Sequence, residues 1–221
     1  MRTHLEEIAP QAVQATPRPW QVTCTYLVLG VEHILRGIDH LLFVLGLLIL
    51  VRGWRKIVGT ITAFTVAHSI TLAAATLGFV HVPGKPVEAI IALSIVFVAC
   101  EIVRRSRGQS GLTERRPWIV AFTFGLLHGF GFAGALSEVG LPQNAVPLAL
   151  LFFNVGVELG QLIFIGAVTT AIAVLIPVVS RFEQHDSRPK IRFAFYETLA
   201  AYAIGSVAAY WLVERTLSFF V

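Results

Sequence analysis

Six long apolar segments make up most of this chain, and they restrict its fold more than any other feature. Each has about 20 residues or more, the length that an α-helix needs to cross the hydrocarbon core of a bilayer. Charged residues are only 14% of the chain, against about 25% in soluble domains. We therefore predict an all-α fold, a polytopic helical membrane bundle. Its six spans are predicted at residues 22–51, 55–78, 86–105, 117–139, 146–175 and 192–214.

The segment before the first span has a different character. Residues 1–21 lack the basic start and the apolar run of a signal peptide. We predict that they form a polar or interfacial N-terminal tail, followed by a single helical transmembrane domain over residues 22–221. Cys24 and Cys100 lie in apolar sequence without C-x-x-C spacing, which is typical of small core residues rather than of a disulfide or a metal pair.

The first span, 22–51, is too long for one straight crossing. A helix of about 30 residues is about 45 Å long, whereas the hydrocarbon core is about 30 Å thick. The pair Arg36-Gly37 near its centre predicts a break. Backbone groups freed by such a break must face protein or a polar cavity, and discontinuous helices often form ion sites in transporters. A tight hairpin of two short helices, giving seven segments, stays open as the alternative.

Basic residues are concentrated in three alternate loops, at residues 52–56, 104–117 and 177–191. The opposite loops carry little more than Lys85. By the positive-inside rule, the basic loops are cytoplasmic and both termini are outside. We expect the protein to be integral to a membrane, the bacterial inner membrane. Its formal charge of +4 comes from these short loops, so it does not indicate a nucleic-acid partner.

Ionisable and polar side chains lie near the centre of four spans, where a charge is expensive to place. The first span contains an H-x5-D-H motif, the second and fourth each contribute one histidine, and the fifth contributes polar residues at i, i+4 and i+7. The topology predicts that these side chains occupy one layer at mid-depth. Imidazole and carboxylate donors in such a layer suit a borderline divalent ion such as nickel, cobalt, copper or zinc.

We distinguish residues expected to bind the ion from residues expected to support them. The predicted metal ligands are His33, Asp39, His40, His68, His128 and Glu158. A supporting or pathway role is predicted for Glu32, Arg36, Ser69, Asn154 and Gln161. Each residue also has a structural interpretation; Arg36, for example, could simply neutralise Asp39 or Glu32. Two G-x-x-x-G patterns, at 125–129 and 156–160, favour close helix packing beside these positions.

Five segments of the chain carry the patterns of a known family. They lie at residues 30–43, 64–72, 87–94, 124–133 and 153–161. They resemble the HupE/UreJ family of membrane proteins, which is associated with hydrogenase and urease gene clusters and regarded as nickel or cobalt permeases. The family's H-x5-D-H motif corresponds to His33, Asp39 and His40. Its second motif, F-H-G-x-[AV]-H-G-x-E, is matched only by His128-Gly129, so the resemblance implies a divergent branch that transports nickel or cobalt.

Two other functions use the same residues. In an intramembrane zinc hydrolase, three histidines would hold Zn²⁺ while Asp39 or Glu158 acted as general base. In a haem protein, His68 and His128 would be axial ligands, and the neighbouring carboxylates argue against that. The sequence does not separate transport from hydrolysis. The expected partners are the lipid bilayer, a divalent transition-metal ion (nickel, cobalt, zinc or copper) and, in a homo-oligomer, a second copy of the chain.

Overall fold

All of the secondary structure in the described part of the chain is helical, which confirms the all-α prediction. The computed structural model describes residues 18–139, 145–182 and 189–220, with the backbone alone at 133, 135–139, 176–182 and 189–194. The helices are α1 (Pro19–Arg36), α2 (Ile38–Leu50), α3 (Trp54–Thr76), α4 (Gly84–Ser106), α5 (Leu112–Arg115), α6 (Pro117–Val139), α7 (Val146–Phe182) and α8 (Pro189–Leu217).

Helix boundaries differ from the predicted spans mainly at two places. α1 begins at Pro19, inside the predicted tail, because proline suits the first helical position, where its missing N–H costs nothing. The rest of that tail, residues 1–17, lies outside the described ranges. α7 extends to Phe182 and α8 begins at Pro189. Both ends of the loop predicted over 177–191 are therefore helical. Its centre, 183–188, lies outside the described residues.

Length and composition identify the bundle as a membrane protein. The helices Trp54–Thr76, Gly84–Ser106 and Val146–Leu175 are each long and apolar enough to cross a bilayer. α1 and α2 meet the same criterion together, and Pro117–Phe132 is a shorter apolar helix. Large apolar side chains such as Ile70 and Leu151 are more than half exposed, as expected of a surface that faces lipid rather than water. The protein is thus a helical membrane bundle.

The predicted break in the first span is confirmed at Gly37. α1 ends at Arg36, α2 starts at Ile38, and their axes meet at 74°. The backbone of Gly37 has φ −78° and ψ 89°, outside the helical region, so the hydrogen-bonded ladder stops there. α2 continues towards the end of the bundle at which α3 and α6 begin, called the basic end below because the arginine-rich loops lie there.

Glycines hold α1 against α7. Gly156 lies against the carbonyl oxygen of Leu27, and Gly160 lies against Ile34 one to two turns further along. Both contacts advance in the same direction on the two helices, so α1 runs parallel to α7, towards the basic end. α1 and α2 therefore form one bent span rather than a hairpin that reverses direction.

A second glycine pair holds α6 against α3. Gly125 faces the carbonyl oxygen of Phe64, and Gly129 faces that of His68. A Cβ atom at either glycine would meet α3 backbone, so only glycine permits this approach. Both predicted G-x-x-x-G patterns thus pack helices closely, the first against α3 and the second against α1.

α2 is fixed to α4 and α8 at the basic end by Arg105. Its Nη1 donates to the carbonyl oxygens of Ile49 and Leu50, at 2.8 and 3.1 Å, which satisfies the last turn of α2. Its Nη2 lies 2.7 Å from Oε1 of Glu197 on α8. Because both charged side chains are almost buried, this ion pair links three helices inside the bundle.

The prediction that the two cysteines are core residues is wrong. Cys24 and Cys100 are both free thiols and both exposed on the outside of the bundle. The apolar sequence around them belongs to lipid-facing helix surfaces, where a small apolar side chain is as well accommodated as in a core.

Candidate metal centre

Three histidines converge where α1 and α2 meet. His33 lies in the last turn of α1, His40 in the first turn of α2, and His68 in the middle of α3. One ring nitrogen from each lies within 4.8 Å of those of the other two. Seven residues of continuous helix would separate His33 from His40 by about 10 Å along the axis, yet their ring centroids are 4.8 Å apart. The break at Gly37 therefore brings these two rings together.

His128 of α6 completes a set of four imidazoles. Its ring centroid lies 4.9 Å from that of His40, and its side chain is buried. It stands beside the group of three rather than within it. The four predicted histidines thus lie together although they come from four different helices.

A hydrogen bond to Asn154 sets the tautomer of His68. Nδ2 of Asn154 donates to the carbonyl oxygen of Leu150 at 2.8 Å. That carbonyl can only accept, so the amide oxygen must be the atom that faces the ring, and it lies 3.1 Å from Nδ1 of His68. An oxygen acceptor requires Nδ1 to carry the proton. Nε2 of His68 therefore has the lone pair, and it has no hydrogen-bond partner.

Ser94 fixes His128 in the same way, with the nitrogens exchanged. The hydroxyl of Ser94 donates to the carbonyl oxygen of Ile91 at 2.6 Å, so its oxygen is left to accept. Nε2 of His128 lies 3.0 Å from that oxygen and must carry the proton. Nδ1 of His128 then has the lone pair, and it is buried without a partner.

The unpartnered nitrogens are suited to bind a cation. Nε2 of His33, His40 and His68 and Nδ1 of His128 are all buried and without a hydrogen bond, which is costly unless a ligand satisfies them. Zinc–nitrogen bonds are about 2.0–2.1 Å long, which places tetrahedral ligand atoms about 3.4 Å apart. One ring nitrogen of each of His33, His40 and His68 lies within 4.8 Å of the other two, so an ion held by such a set would draw the nitrogens inward by about 1 Å.

Asp39 is not part of the histidine group. Its Oδ2 lies 2.8 Å from Nη2 of Arg215, near the end of α8. Arg36, which the sequence places within reach of Asp39, instead pairs with Glu32 at 3.3 Å on the surface. The role of Asp39 as a metal ligand stays a prediction, and in this arrangement its charge is balanced by an arginine 176 residues away.

Glu158 is also separate from the histidines. Its Oε1 accepts a 2.6 Å hydrogen bond from Thr62 on α3. Thr65 similarly lies 3.3 Å from Oε1 of Gln161, and Ser69 donates to the carbonyl oxygen of Thr65. The pairs Thr62–Glu158 and Thr65–Gln161 form a polar seam between α3 and α7, which continues from His68 towards the basic end. Metal binding by Glu158 stays a prediction.

A cavity of about 500 Å³ opens beside the histidines. It reaches the protein surface, because Glu88 in its lining is exposed. At about 30 Å³ per water molecule, six waters of hydration need about 180 Å³, so a fully hydrated ion fits. Its lining includes His33, His40, His128, Asp39, Glu88 and Arg215. Glu88 and Arg215 lie near the ends of α4 and α8 that are opposite the basic end.

A layer of three phenylalanines closes the other side of the histidines. Phe43, Phe64 and Phe124 each lie one helical turn from a histidine of the cluster, always on the side of the basic end. The ring centroid of Phe43 lies 5.6 Å from that of Phe64 and 5.8 Å from that of Phe124. Phe43 and Phe64 are fully buried. Three of the histidines, His33, His40 and His128, are therefore reached from the cavity, and this phenylalanine layer separates the cluster from the basic end.

Comparison with known proteins then identifies the family. A family model described as HupE / UreJ protein matches residues 9–215. The chain belongs to the HupE/UreJ family. No curated protein and no solved structure gives a significant match. The HupE/UreJ family is associated with nickel and cobalt transport, so the resemblance carried by the motifs is confirmed at the level of the family.

The departure from the HupE/UreJ pattern has a structural counterpart. Phe132 stands one turn after His128, where the second motif of the family has another histidine. Its ring lies 3.9 Å from that of His33 and stacks on Phe153 at 5.0 Å. In this chain an apolar ring therefore covers one side of His33.

Three features of the site were not identified from the sequence. They are the Arg215–Asp39 ion pair, the bond from Thr62 to Glu158, and the phenylalanine layer. Arg215 does carry a signal, since it is a basic residue at the end of the bundle where the loops have few. The layer has one too, since each of its members is spaced one turn from a histidine.

Proposed function

We propose that this protein transports a divalent transition-metal ion of the nickel or cobalt type across the membrane. The observation that carries the proposal is the meeting of four imidazoles, from four separate helices, beside a cavity that reaches the surface. A structural role needs partners for buried nitrogens, whereas here one nitrogen of each ring has none. Family membership supports the same function.

Entry takes place through the cavity. By the positive-inside rule the basic end faces the cytoplasm and the cavity opens outside, in the bacterial inner membrane. The cavity lining carries two carboxylates, Asp39 and Glu88, and two guanidinium groups, Arg36 and Arg215, so its formal charges balance. The ion enters hydrated and exchanges its waters for imidazoles, which suit nickel, cobalt, copper and zinc better than magnesium or calcium.

Release requires a change of conformation. A transport site must bind well enough to replace the hydration shell and weakly enough to let the ion leave. The phenylalanine layer closes the direct route to the basic end, while the polar seam with Glu158 and Gln161 follows α3 and α7 towards it. We propose that the ion leaves along this seam when the helices move apart, with Glu158 as an intermediate ligand or proton acceptor.

Uptake into proteoliposomes tests the proposal. Purified protein is reconstituted, and entry of nickel, cobalt, copper and zinc is followed with a dye trapped inside. We expect uptake of at least one ion by the wild type and none by His40→Ala/His68→Ala. The matched control is His81→Ala, which removes an exposed histidine outside the cluster and should leave uptake unchanged. If wild type and double variant behave alike for all four ions, the proposal is wrong.

An intramembrane zinc hydrolase is the second candidate, favoured by one observation. Three histidines within ligand distance of one another are the protein ligand set of some catalytic zinc sites. The enzyme also needs a carboxylate base beside the zinc, and Asp39 and Glu158 are bonded to Arg215 and Thr62 instead. Elemental analysis after dialysis separates the two. One zinc retained per chain without any uptake would favour the hydrolase.

A further inference from the structure

Arg215 occupies the cavity in a well-defined geometry. Its Nη2 lies 2.8 Å from Oδ2 of Asp39, and its Nη1 donates to the carbonyl oxygen of Glu88 at 3.0 Å. The guanidinium carbon lies 5.5 Å from the ring centre of Trp211, a distance at which a cation is attracted to an aromatic face. The side chains of Arg215 and Asp39 are each only about one-fifth exposed, at 20% and 22%. The arginine is therefore held by contacts to α2 and α4 as well as to its own helix, α8.

This pairing conflicts with the binding of a divalent ion. Asp39 is adjacent to His40 in the sequence, and it lines the same cavity as His33, His40 and His128. A guanidinium group remains protonated at every physiological pH. Arg215 therefore cannot lose its positive charge when a metal ion arrives. A carboxylate oxygen that accepts from Arg215 has reduced capacity to neutralise an arriving cation.

We propose that Arg215 is an internal counter-cation that competes with the transported ion for Asp39. This inference rests on the proposed transport function and names the residue that regulates its site. When an ion reaches the histidines, Asp39 exchanges its arginine partner for the metal. Arg215 keeps its contacts with the Glu88 carbonyl on α4 and with Trp211 on α8. The ion pair that tied α2 to these two helices, at the end opposite the basic end, is then broken.

The competition weakens binding and makes the site reversible. A cluster of four imidazoles and a free carboxylate in a buried site would hold nickel or cobalt tightly and release it slowly. Because Arg215 is held beside Asp39, it forms its ion pair with the Asp39 carboxylate again as the ion leaves. The arginine thus lowers affinity and speeds release, which a transporter needs more than a storage protein does.

Equilibrium binding of nickel and cobalt, measured by calorimetry on the detergent-solubilised full chain, tests the proposal. We expect Arg215→Gln to bind at least about fivefold more tightly than the wild type, the lower end of the range for coupled sites. In proteoliposomes its maximal uptake rate should fall while its half-saturating concentration also falls. In an Asp39→Asn background, Arg215→Gln should have no further effect on affinity, because the contested carboxylate is gone.

Arg105→Gln is the matched control. Like Arg215, Arg105 pairs with an acidic side chain of another helix and donates to backbone carbonyls, but it does so at the basic end, away from the cavity. Its loss should lower thermal stability without tightening metal binding. Arg215→Gln with wild-type affinity, or with tightening that persists in Asp39→Asn, would overturn the proposal. A wild type that binds and transports no ion would instead overturn the proposed function.

A measurement on the folded wild type protects the test against a variant that fails to fold. Infrared difference spectra, with nickel minus without, should contain a shifted carboxylate band as Asp39 changes its partner from arginine to metal. Asp39→Asn should lack that band. Identical difference spectra for the two proteins would overturn the proposal even if Arg215→Gln cannot be purified.

Discussion

Oδ1 of Asn154 lies 3.1 Å from Nδ1 of His68, and this one contact determines which nitrogen of the histidine is free to bind an ion. The two residues are 86 positions apart on α3 and α7. Partners of this kind hold a ligating imidazole in one tautomer and one orientation, and they raise its basicity.

Asn154→Ala should therefore weaken metal binding although residue 154 does not touch the ion. We expect about a 10–100-fold loss of affinity for nickel or cobalt, the usual effect of removing the partner of a ligating histidine. Asn154→Asp keeps an oxygen acceptor at the same place and should retain most of the affinity. Calorimetry on the two purified variants makes the comparison, and equal losses in both would contradict the tautomer argument.

Ser94→Ala should act on His128 by the same mechanism. Without the serine oxygen, Nε2–H of His128 loses its buried acceptor, and the ring is no longer held with Nδ1 free. We expect weaker binding, again by about 10-fold or more. The substitution removes a single oxygen atom from a buried position, so a protein that melts at the wild-type temperature but binds less metal would isolate the effect. Unchanged affinity would show that His128 does not bind the ion.

Gly129→Ala should destabilise the bundle at the pair α3–α6. The added Cβ would meet the His68 carbonyl oxygen and the Thr71 hydroxyl, and overpacking of this kind costs about 1–3 kcal/mol. Gly59→Ala on α3 is the control, because nothing lies within 4 Å of its new methyl group and alanine is the better helix former by up to about 1 kcal/mol. Thermal denaturation in detergent should show a lower melting temperature for Gly129→Ala than for the wild type, and no decrease for Gly59→Ala.

Thiol labelling tests the predicted orientation. In a Cys24→Ser/Cys100→Ser background, new cysteines are placed at His81 and Gln109, two exposed positions at opposite ends of the bundle. A membrane-impermeant maleimide should label His81→Cys from outside intact cells and Gln109→Cys only in inside-out vesicles. The reverse pattern would mean that the basic end faces outward and that the proposed direction of entry is wrong.

The broken first helix was predictable because length alone forces it. About 30 apolar residues exceed the bilayer thickness when helical, and Gly37 is the natural place for the break. The meeting of His33 with His40, His68 and His128 was predictable too, because depth in the membrane can be counted along each span. Depth is a one-dimensional quantity: it placed the four histidines in one layer, and the structure shows that they also meet side by side in that layer.

Partners across helices were not predictable from depth. Arg215 and Asp39 lie at similar depth, but many other pairs of residues do as well. A single sequence does not show that the face of α8 that carries Arg215 packs against α4. The same limit applies to Thr62 and Glu158. The lipid-facing positions of Cys24 and Cys100 were misjudged for a related reason: in a membrane, apolar neighbours do not distinguish the inside of a bundle from its outside.

The two halves of the first span are anchored to different neighbours. α1 rests on α7 through Gly156 and Gly160, whereas α2 is tied to α4 and α8 by Arg105 and Arg215. Gly37 is the covalent joint between them, and the imidazoles of His33 and His40 stand on its two sides. Any sliding of one group of helices past the other thus alters the gap between these rings. An ion bound by both rings would hold the two halves of the span at a fixed angle, and its release would let that angle change, so ion binding would be coupled to helix movement at a single glycine.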